Sequence, residues 1–195
     1  GFTDKVLSKK EMIGNNFQIK IDGASNELSE FNEFDKILNF YGYQRFGSRR
    51  PVTHLIGRSL IQKDFAGAVD LLLSFTSEYD RDENTKLREL MADKSKYSEA
   101  LKILPKGMDL EKIALEEMIE HDDPIKTLRA LPLSIRRFFV QAYQSYIFNQ
   151  TLSMSLDAGE ELFFPQSDDV CYNKNNELGK FENDPSQRLS IPFVG

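Results

Sequence analysis

The chain has 195 residues, 40% hydrophobic and 29% charged, with a net charge of −6. This composition argues against general disorder, and no apolar run approaches the roughly 20 residues needed to cross a bilayer. The single cysteine, Cys171, excludes an internal disulfide and favours a reducing, cytoplasmic setting, while no Cys/His cluster has the spacing of a metal site.

The first predicted elements are a strand and a loop. Apolar and polar residues alternate over residues 17–21, between turn signals at residues 14–16 and 22–23, which predicts a half-buried strand. Residues 39–51 are rich in glycine, arginine and aromatic residues, so we expect a loop with short extended pieces there.

A helical region is predicted from about residue 51 onward. Asp64, Asp109 and Asp123 stand where an N-cap would precede an apolar stripe, and Pro124 follows the last of them. Apolar residues recur at helical spacing over residues 54–61, 65–73, 85–91, 98–104, 110–119 and 133–157.

The C-terminal part is predicted to form β structure. Residues 170–172 and 189–194 have strand character, with an asparagine-rich turn at residues 173–176. The chain begins with Gly1 rather than Met, and the last predicted strand ends at Gly195 without a closing element. We therefore expect an internal segment of a longer polypeptide.

Basic residues are concentrated in two stretches that contain no acid. Residues 36–63 hold six lysines or arginines, and residues 124–156 hold four, in a chain whose net charge is −6. Such stretches in an acidic chain are typical of surfaces that attract a polyanion. Chance clustering on ordinary solvated faces is the alternative.

Residues 39–50, N-F-Y-G-Y-Q-R-F-G-S-R-R, are the most informative part of the sequence. They contain four aromatic rings, two side-chain amides and three arginines. Aromatic faces stack on unpaired bases, arginines bind phosphate and amides pair with base edges, as a single-stranded RNA site requires. An aromatic-rich turn packed into the core explains the composition equally well.

Residues 39–47 resemble the N-[FY]-[FY]-G-x-Q-R-F-G signature of the TruD family of pseudouridine synthases. Residues 14–17 are similar to the G-N-x-F of a family strand, and residues 131–149 to the motif on the first long helix of the family's inserted domain. Residues 191–195 resemble the start of a further family segment. The resemblance covers nearly the whole chain, and the middle signature is highly specific.

The resemblance implies an α+β fold. Residues 1–62 would form part of a split pseudouridine-synthase catalytic core, and residues 63–195 most of a largely helical α+β inserted domain, incomplete at its C-terminus. It implies a cytoplasmic isomerase that converts uridine to pseudouridine in tRNA, typically at position 13, without a metal or other cofactor. In the family an aspartate from an upstream G-x-K-D segment attacks the flipped nucleotide, the glycosidic bond breaks, the base rotates and a carbon–carbon bond forms.

The resemblance also assigns roles by position. Asn39 is expected to orient the catalytic aspartate, and Tyr41 to stack on the target base. The expected substrate-binding residues are Phe40, Gln44, Arg45, Arg49, Arg50, Arg58, Arg136 and Arg137. Arg136 and Arg137 could equally be solvated helix arginines. Phe46 is expected mainly to pack, and His54 to cap or pack, with an RNA contact as the alternative.

No G-x-K-D segment occurs in the chain. Asp4 lacks a preceding lysine, and Asp64 lacks the glycine, so we expect the nucleophile outside these residues and the chain alone to be inactive. The alternative functions are a non-catalytic RNA-binding module and a helical protein-interaction domain. The sequence does not indicate an oligomeric state.

Overall fold

The computed structural model of the protein describes residues 14, 16–20, 22–23 and 36–190. The chain divides into two compact units, Gly1–Leu38 and Asn39–Gly195. The strand predicted over residues 17–21 is wrong where it is described, because Phe17 and Ile19 are 79% and 78% exposed in irregular backbone. Ile21 lies outside the described residues. An alternating apolar and polar sequence forms a strand only where a neighbouring strand pairs with it. None of the described residues pairs with residues 17–20 in a sheet.

The second unit consists of helices followed by a small sheet, so the predicted α+β class is confirmed. Its helices are α1 Tyr43–Phe46, α2 Thr53–Ile61, α3 Phe65–Ser74, α4 Asp82–Met91, α5 Tyr97–Ile103, α6 Asp109–His121, α7 Pro124–Ala130 and α8 Leu133–Asp157, with a 3₁₀ turn at Lys94–Lys96. The strands are β1 Val170–Tyr172, β2 Leu178–Lys180 and β3 Arg188–Leu189, which form an antiparallel sheet in the order β2-β1-β3.

Most of the predicted helix starts agree with the structure. Asp64 and Asp123 each accept a hydrogen bond of 2.9 Å from a backbone N–H in the turn that follows, so both predicted N-caps are confirmed. The N-cap predicted at Asp109 is wrong, because Met108 occupies that position and Asp109 is the first residue of α6. There its carboxylate still faces the positive end of the helix dipole.

The segment predicted as a loop instead contains a helical turn, α1. Gly42 precedes this turn, and Gly47 ends it at a φ of +105°. A Cβ atom at Gly47 would overlap the carbonyl oxygen of Arg50, so the chain requires glycine to leave the turn in this direction. The glycines that suggested a loop therefore mark the two ends of a helix.

The hydrophobic core forms where α2 packs against α8 and α3, and where α7 packs against α6. The largest fully buried side chains there include Ile56, Leu73, Met91, Leu115 and Leu131. None of the helices in the described ranges combines the length and apolar content needed to span a membrane.

Close approach of α2 to α8 depends on Gly57. A Cβ atom there would overlap the carbonyl oxygen of Phe139 and lie 2.6 Å from its carbonyl carbon. We expect Gly57→Ala to lower the free energy of unfolding by about 1–3 kcal/mol, because α2 must move to admit the methyl group. Calorimetric melting checks this, with Gly179→Ala as control, since an added Cβ meets nothing within 4 Å there. Equal melting temperatures for the two variants would contradict the close contact.

The small sheet confirms the strand predicted at residues 170–172. Cys171 pairs with Gly179 on one side and Leu189 on the other, and its thiol is free and buried. Burial raises the pKa of this thiol, which disfavours the reactive thiolate. The strand predicted at residues 189–194 overlaps β3 at Leu189, and its residues 191–194 lie outside the described residues.

Candidate functional site

The backbone of Tyr41 is held by the side chain of Asn149 on α8. The Tyr41 N–H donates to Asn149 Oδ1 at 2.9 Å, and Asn149 Nδ2 donates to the Tyr41 carbonyl oxygen at 2.9 Å. The Tyr41 ring contacts Phe148 edge-on, with 5.7 Å between centroids and 80° between planes. Tyr41 is therefore fixed relative to α8, although it belongs to no helix or strand.

The guanidinium of Arg45 lies between two aromatic rings. Its Cζ atom is 5.6 Å from the Tyr41 ring centroid and 5.3 Å from that of Phe138. Its Nε donates to Ser145 Oγ at 2.9 Å, and the Ser145 hydroxyl donates in turn to the Gln141 carbonyl at 2.9 Å. Because Ser145 is fully buried, this hydrogen bond fixes the direction of the Arg45 side chain.

These groups meet at an open recess of about 630 Å³. Its lining residues are Tyr41, Gly42, Tyr43, Gln44, Arg45 and Phe138. The recess offers ring faces, a side-chain amide and a guanidinium, which can stack on a planar base, pair with its edge and neutralise a phosphate.

A row of aromatic side chains ties the end of α1 to α2 and α8. The ring of His54 packs edge-on against Phe46 at 5.2 Å and stacks on Tyr146 at 4.9 Å, and Tyr146 stacks on Tyr143 at 6.3 Å. The predicted packing role of Phe46 and His54 is confirmed. Burial lowers the pKa of His54, so the imidazole is neutral at pH 7.

Arg50 points into the protein, which corrects its predicted role as a phosphate ligand. Its guanidinium donates to the carbonyl oxygens of Leu71 and Leu72 at 2.9 and 2.6 Å and pairs with Glu111 at 3.1 Å. Burial, together with repulsion from Arg88, lowers the pKa of Arg50 to about 10, which leaves it charged at neutral pH. The carbonyl oxygens in the last turn of α3 and the carboxylate of Glu111 account for this inward orientation.

Most of the other predicted substrate-binding residues lie at the surface. The exposed ones are Asn39, Phe40, Gln44, Arg49, Arg58 and Arg137. Arg136 is half-buried and donates to the Leu131 carbonyl at 3.2 Å, and it lines a separate recess of about 450 Å³ with Arg137. Of the predicted set, the structure thus brings Tyr41, Gln44 and Arg45 together at the 630 Å³ recess.

Three residues of α8 complete the site without having been assigned to it from the sequence: Phe138, Ser145 and Asn149. They recur at intervals of seven and four, so they share one face of the helix. One sequence signal could have indicated Ser145 and Asn149: both are polar residues within an otherwise apolar stripe. A polar side chain in such a stripe needs a hydrogen-bond partner, which predicts a specific contact.

A second recess, of about 700 Å³, lies between α4 and the residues around the start of α6. It is lined by side chains of both charges and includes no residue of the 39–50 segment. Volume alone does not identify a functional site, so the candidate site is the 630 Å³ recess, where Tyr41, Gln44 and Arg45 meet. In the described ranges, no group of three or more His, Cys, Asp or Glu residues could hold a metal ion.

Comparison with known proteins gives consistent matches. The sequence matches the family described as tRNA pseudouridine synthase D (TruD) over residues 1–189. It is 38% identical over 179 residues to a "Probable tRNA pseudouridine synthase D" of Methanopyrus kandleri, covering 87% of this chain and 44% of that protein. It is 37% identical over 160 residues to a protein of the same name from Nanoarchaeum equitans, covering 80% of this chain and 41% of that protein.

The fold also matches a solved structure. A crystal structure from Methanosarcina mazei, described as "Putative tRNA pseudouridine synthase D (TruD)", superposes with a TM-score of 0.65 and 33% identity. The match covers 72% of this chain and 33% of that chain. The chain spans less than half the length of the two curated relatives named above.

Proposed function

This chain belongs to the tRNA pseudouridine synthase D (TruD) family, and from that premise we propose that the whole protein isomerises uridine to pseudouridine in tRNA. The observation that carries the proposal is the recess where the Tyr41 ring, the Gln44 amide and the Arg45 guanidinium meet. A flipped pyrimidine needs a ring face on which to stack, hydrogen-bonding groups at its edge and cations near its phosphates.

In the proposed reaction the uridine leaves its stack and lies against the Tyr41 ring. Arg45, directed by Ser145, neutralises a phosphate or contacts the base. A carboxylate oriented by Asn39 attacks the nucleotide and the glycosidic carbon–nitrogen bond breaks. The base then rotates, and a carbon–carbon bond forms between C5 of the base and the same sugar. The carboxylate is released, C5 loses its proton and the freed N1 gains one, so the product contains the same atoms as the substrate.

We also propose that the nucleophilic aspartate lies outside these 195 residues, since the sequence has no G-x-K-D segment. In this proposal residues 1–62 contribute to the catalytic core, residues 63–195 form most of the inserted domain, and the protein acts on tRNA in the cytoplasm. The 195-residue chain and the full-length protein would each be incubated with tRNA, and pseudouridine measured by mass spectrometry. Activity only in the full-length protein is expected. Activity in the short chain would contradict the placement of the nucleophile, and inactivity of both would contradict the function.

The exposed arginines of residues 36–63 are proposed to contact tRNA phosphates. We expect the double variant Arg49→Ala, Arg58→Ala to reduce the slope of log affinity against log salt concentration by roughly 1 per arginine. Filter binding across a salt titration measures the slope. Lys102→Ala removes an exposed cation outside both acid-free stretches and serves as control. Equal slopes for the double variant and the control would show that these arginines do not contact tRNA phosphates.

A further inference from the structure

The contact between Tyr41 and Asn149 joins residues 108 positions apart in the sequence. Tyr41 precedes α1, so no helix or strand hydrogen bond fixes its peptide groups. The Asn149 side chain pairs with both the N–H and the carbonyl of this one residue, at 2.9 Å each. A side-chain amide is suited to this, because it presents a donor and an acceptor side by side.

The neighbouring residue of α8 acts on the ring of the same tyrosine. Phe148 meets the Tyr41 ring edge-on at 5.7 Å, a favourable arrangement of aromatic quadrupoles. Consecutive residues of one helix therefore hold the backbone and the ring of Tyr41. The 25-residue helix α8 also packs against α2 in the core, so it provides a rigid support for both contacts.

We propose that Asn149 is a positioning residue that sets the orientation of the Tyr41 ring for the flipped base. The inference rests on the proposed function, because it assigns Tyr41 the role of base platform. Asn149 touches no reacting atom in this scheme. It acts by fixing the backbone conformation of Tyr41, and hence the direction in which the ring leaves the backbone.

The physical consequence can be measured without any substrate. Backbone amide exchange is slow when the N–H is hydrogen-bonded in a stable part of the fold. In Asn149→Ala we expect exchange of the Tyr41 amide to accelerate by about tenfold or more, as loss of a part-buried hydrogen bond of about 1.4 kcal/mol implies. Asn149→Asp keeps the acceptor for the Tyr41 N–H, so the amide should remain protected, but it replaces the donor to the Tyr41 carbonyl.

Catalysis provides the second measurement, in the full-length protein. For Asn149→Ala and Asn149→Asp we expect single-turnover isomerisation at saturating tRNA to slow by about 10- to 100-fold, since small misplacements of reacting groups cost rates of this order. The tRNA affinity of Asn149→Ala should change little, because this variant alters no charge, whereas Asn149→Asp adds a negative charge and is compared only at saturating tRNA. Gln150→Ala, at an exposed position one residue further along α8, should change neither measurement.

The two measurements separate failure of this inference from failure of the proposed function. Unchanged exchange of the Tyr41 amide in Asn149→Ala would overturn the backbone contact, whatever the activity. Faster exchange with an unchanged single-turnover rate would show a purely structural contact and overturn the positioning role. An inactive wild-type full-length protein would instead reject the proposed function and, with it, the catalytic role assigned to Asn149. If Asn149→Ala does not fold, the rate is tested with Asn149→Asp instead. A single-turnover rate of Asn149→Asp equal to that of the wild type would equally overturn the proposal.

Discussion

Glu111→Ala is expected to lower the free energy of unfolding by about 3–5 kcal/mol, because it leaves two buried guanidinium groups without their shared counter-ion. Glu111 Oε1 lies 3.1 Å from Arg50 Nη1 and 3.0 Å from Arg88 Nη2. The side chains of Arg50 and Arg88 are 12% and 5% exposed, so water solvates their charges poorly. Denaturant unfolding followed by circular dichroism measures the change.

The matched control lies on the same helix. Glu116 pairs with Lys112 at 3.8 Å, but both side chains are more than half exposed, at 51% and 58%. Glu116→Ala should therefore change stability by no more than about 1 kcal/mol, the range of surface ion pairs. Similar losses for the two variants would mean that the charges around Glu111 are hydrated in solution, contrary to the structure.

Asp80 pairs with Arg88 at 3.2 Å, and so joins the ion cluster formed by Arg50, Arg88 and Glu111. Its carboxylate makes the stability of this cluster sensitive to acid. Burial favours its neutral form, but hydrogen bonds from Asn84, the Arg81 backbone and Arg88, with the charge of Arg88, lower the pKa of Asp80 overall. Because the pKa of Asp80 is lower in the folded than in the unfolded state, the ionised carboxylate stabilises the fold at pH values above its unfolded-state pKa of about 3.9. This stabilisation is lost as the pH falls through the folded-state pKa. We expect thermal stability to fall more steeply below pH 4 in wild type than in Asp80→Asn. Parallel pH profiles would contradict this linkage.

The different positions of Arg45 and Arg50 could not be predicted from the sequence. Both belong to the segment of residues 39–50, and nothing in the local sequence distinguishes the environments of their side chains. Arg45 meets Ser145, 100 residues away, at the recess, whereas Arg50 meets Glu111, 61 residues away, in the interior. The partners of each guanidinium are brought close by tertiary packing, so residue type and spacing alone could not assign one arginine to the site and the other to the core.

Local signals were reliable where the structure is determined locally. The caps at Asp64 and Asp123 bond to residues within three positions, and α8 has the predicted bounds because apolar residues recur at helical spacing along its 25 residues. The strand predicted at residues 17–21 failed because a strand depends on a distant partner that the alternation itself does not supply. The signature located Tyr41, but its supports on α8 were visible only in the structure.

Under the proposed function, Tyr41→Ala in the full-length protein is expected to lower kcat/KM for tRNA isomerisation by about 10- to 100-fold. Stacking of a base on an aromatic ring contributes about 1–3 kcal/mol, and each 1.4 kcal/mol is a factor of ten. Asn149 holds Tyr41 through backbone atoms only, so truncation to alanine removes the ring and leaves these hydrogen bonds in place. The loss therefore reports the ring together with its contact to the Arg45 guanidinium.

Tyr41→Phe separates the ring face from the hydroxyl. Phenylalanine keeps the stacking surface and the edge-on contact with Phe148, so we expect activity within about threefold of wild type if stacking is the dominant contribution. Leu178→Ala, which removes an apolar side chain 60% exposed on β2, controls for general surface truncation. Single-turnover rates and tRNA affinities measured together show whether the ring acts in binding or in the chemical step. A Tyr41→Ala enzyme as active as Leu178→Ala would mean that the base is held elsewhere, because the alanine variant removes the whole ring and keeps the backbone hydrogen bonds to Asn149.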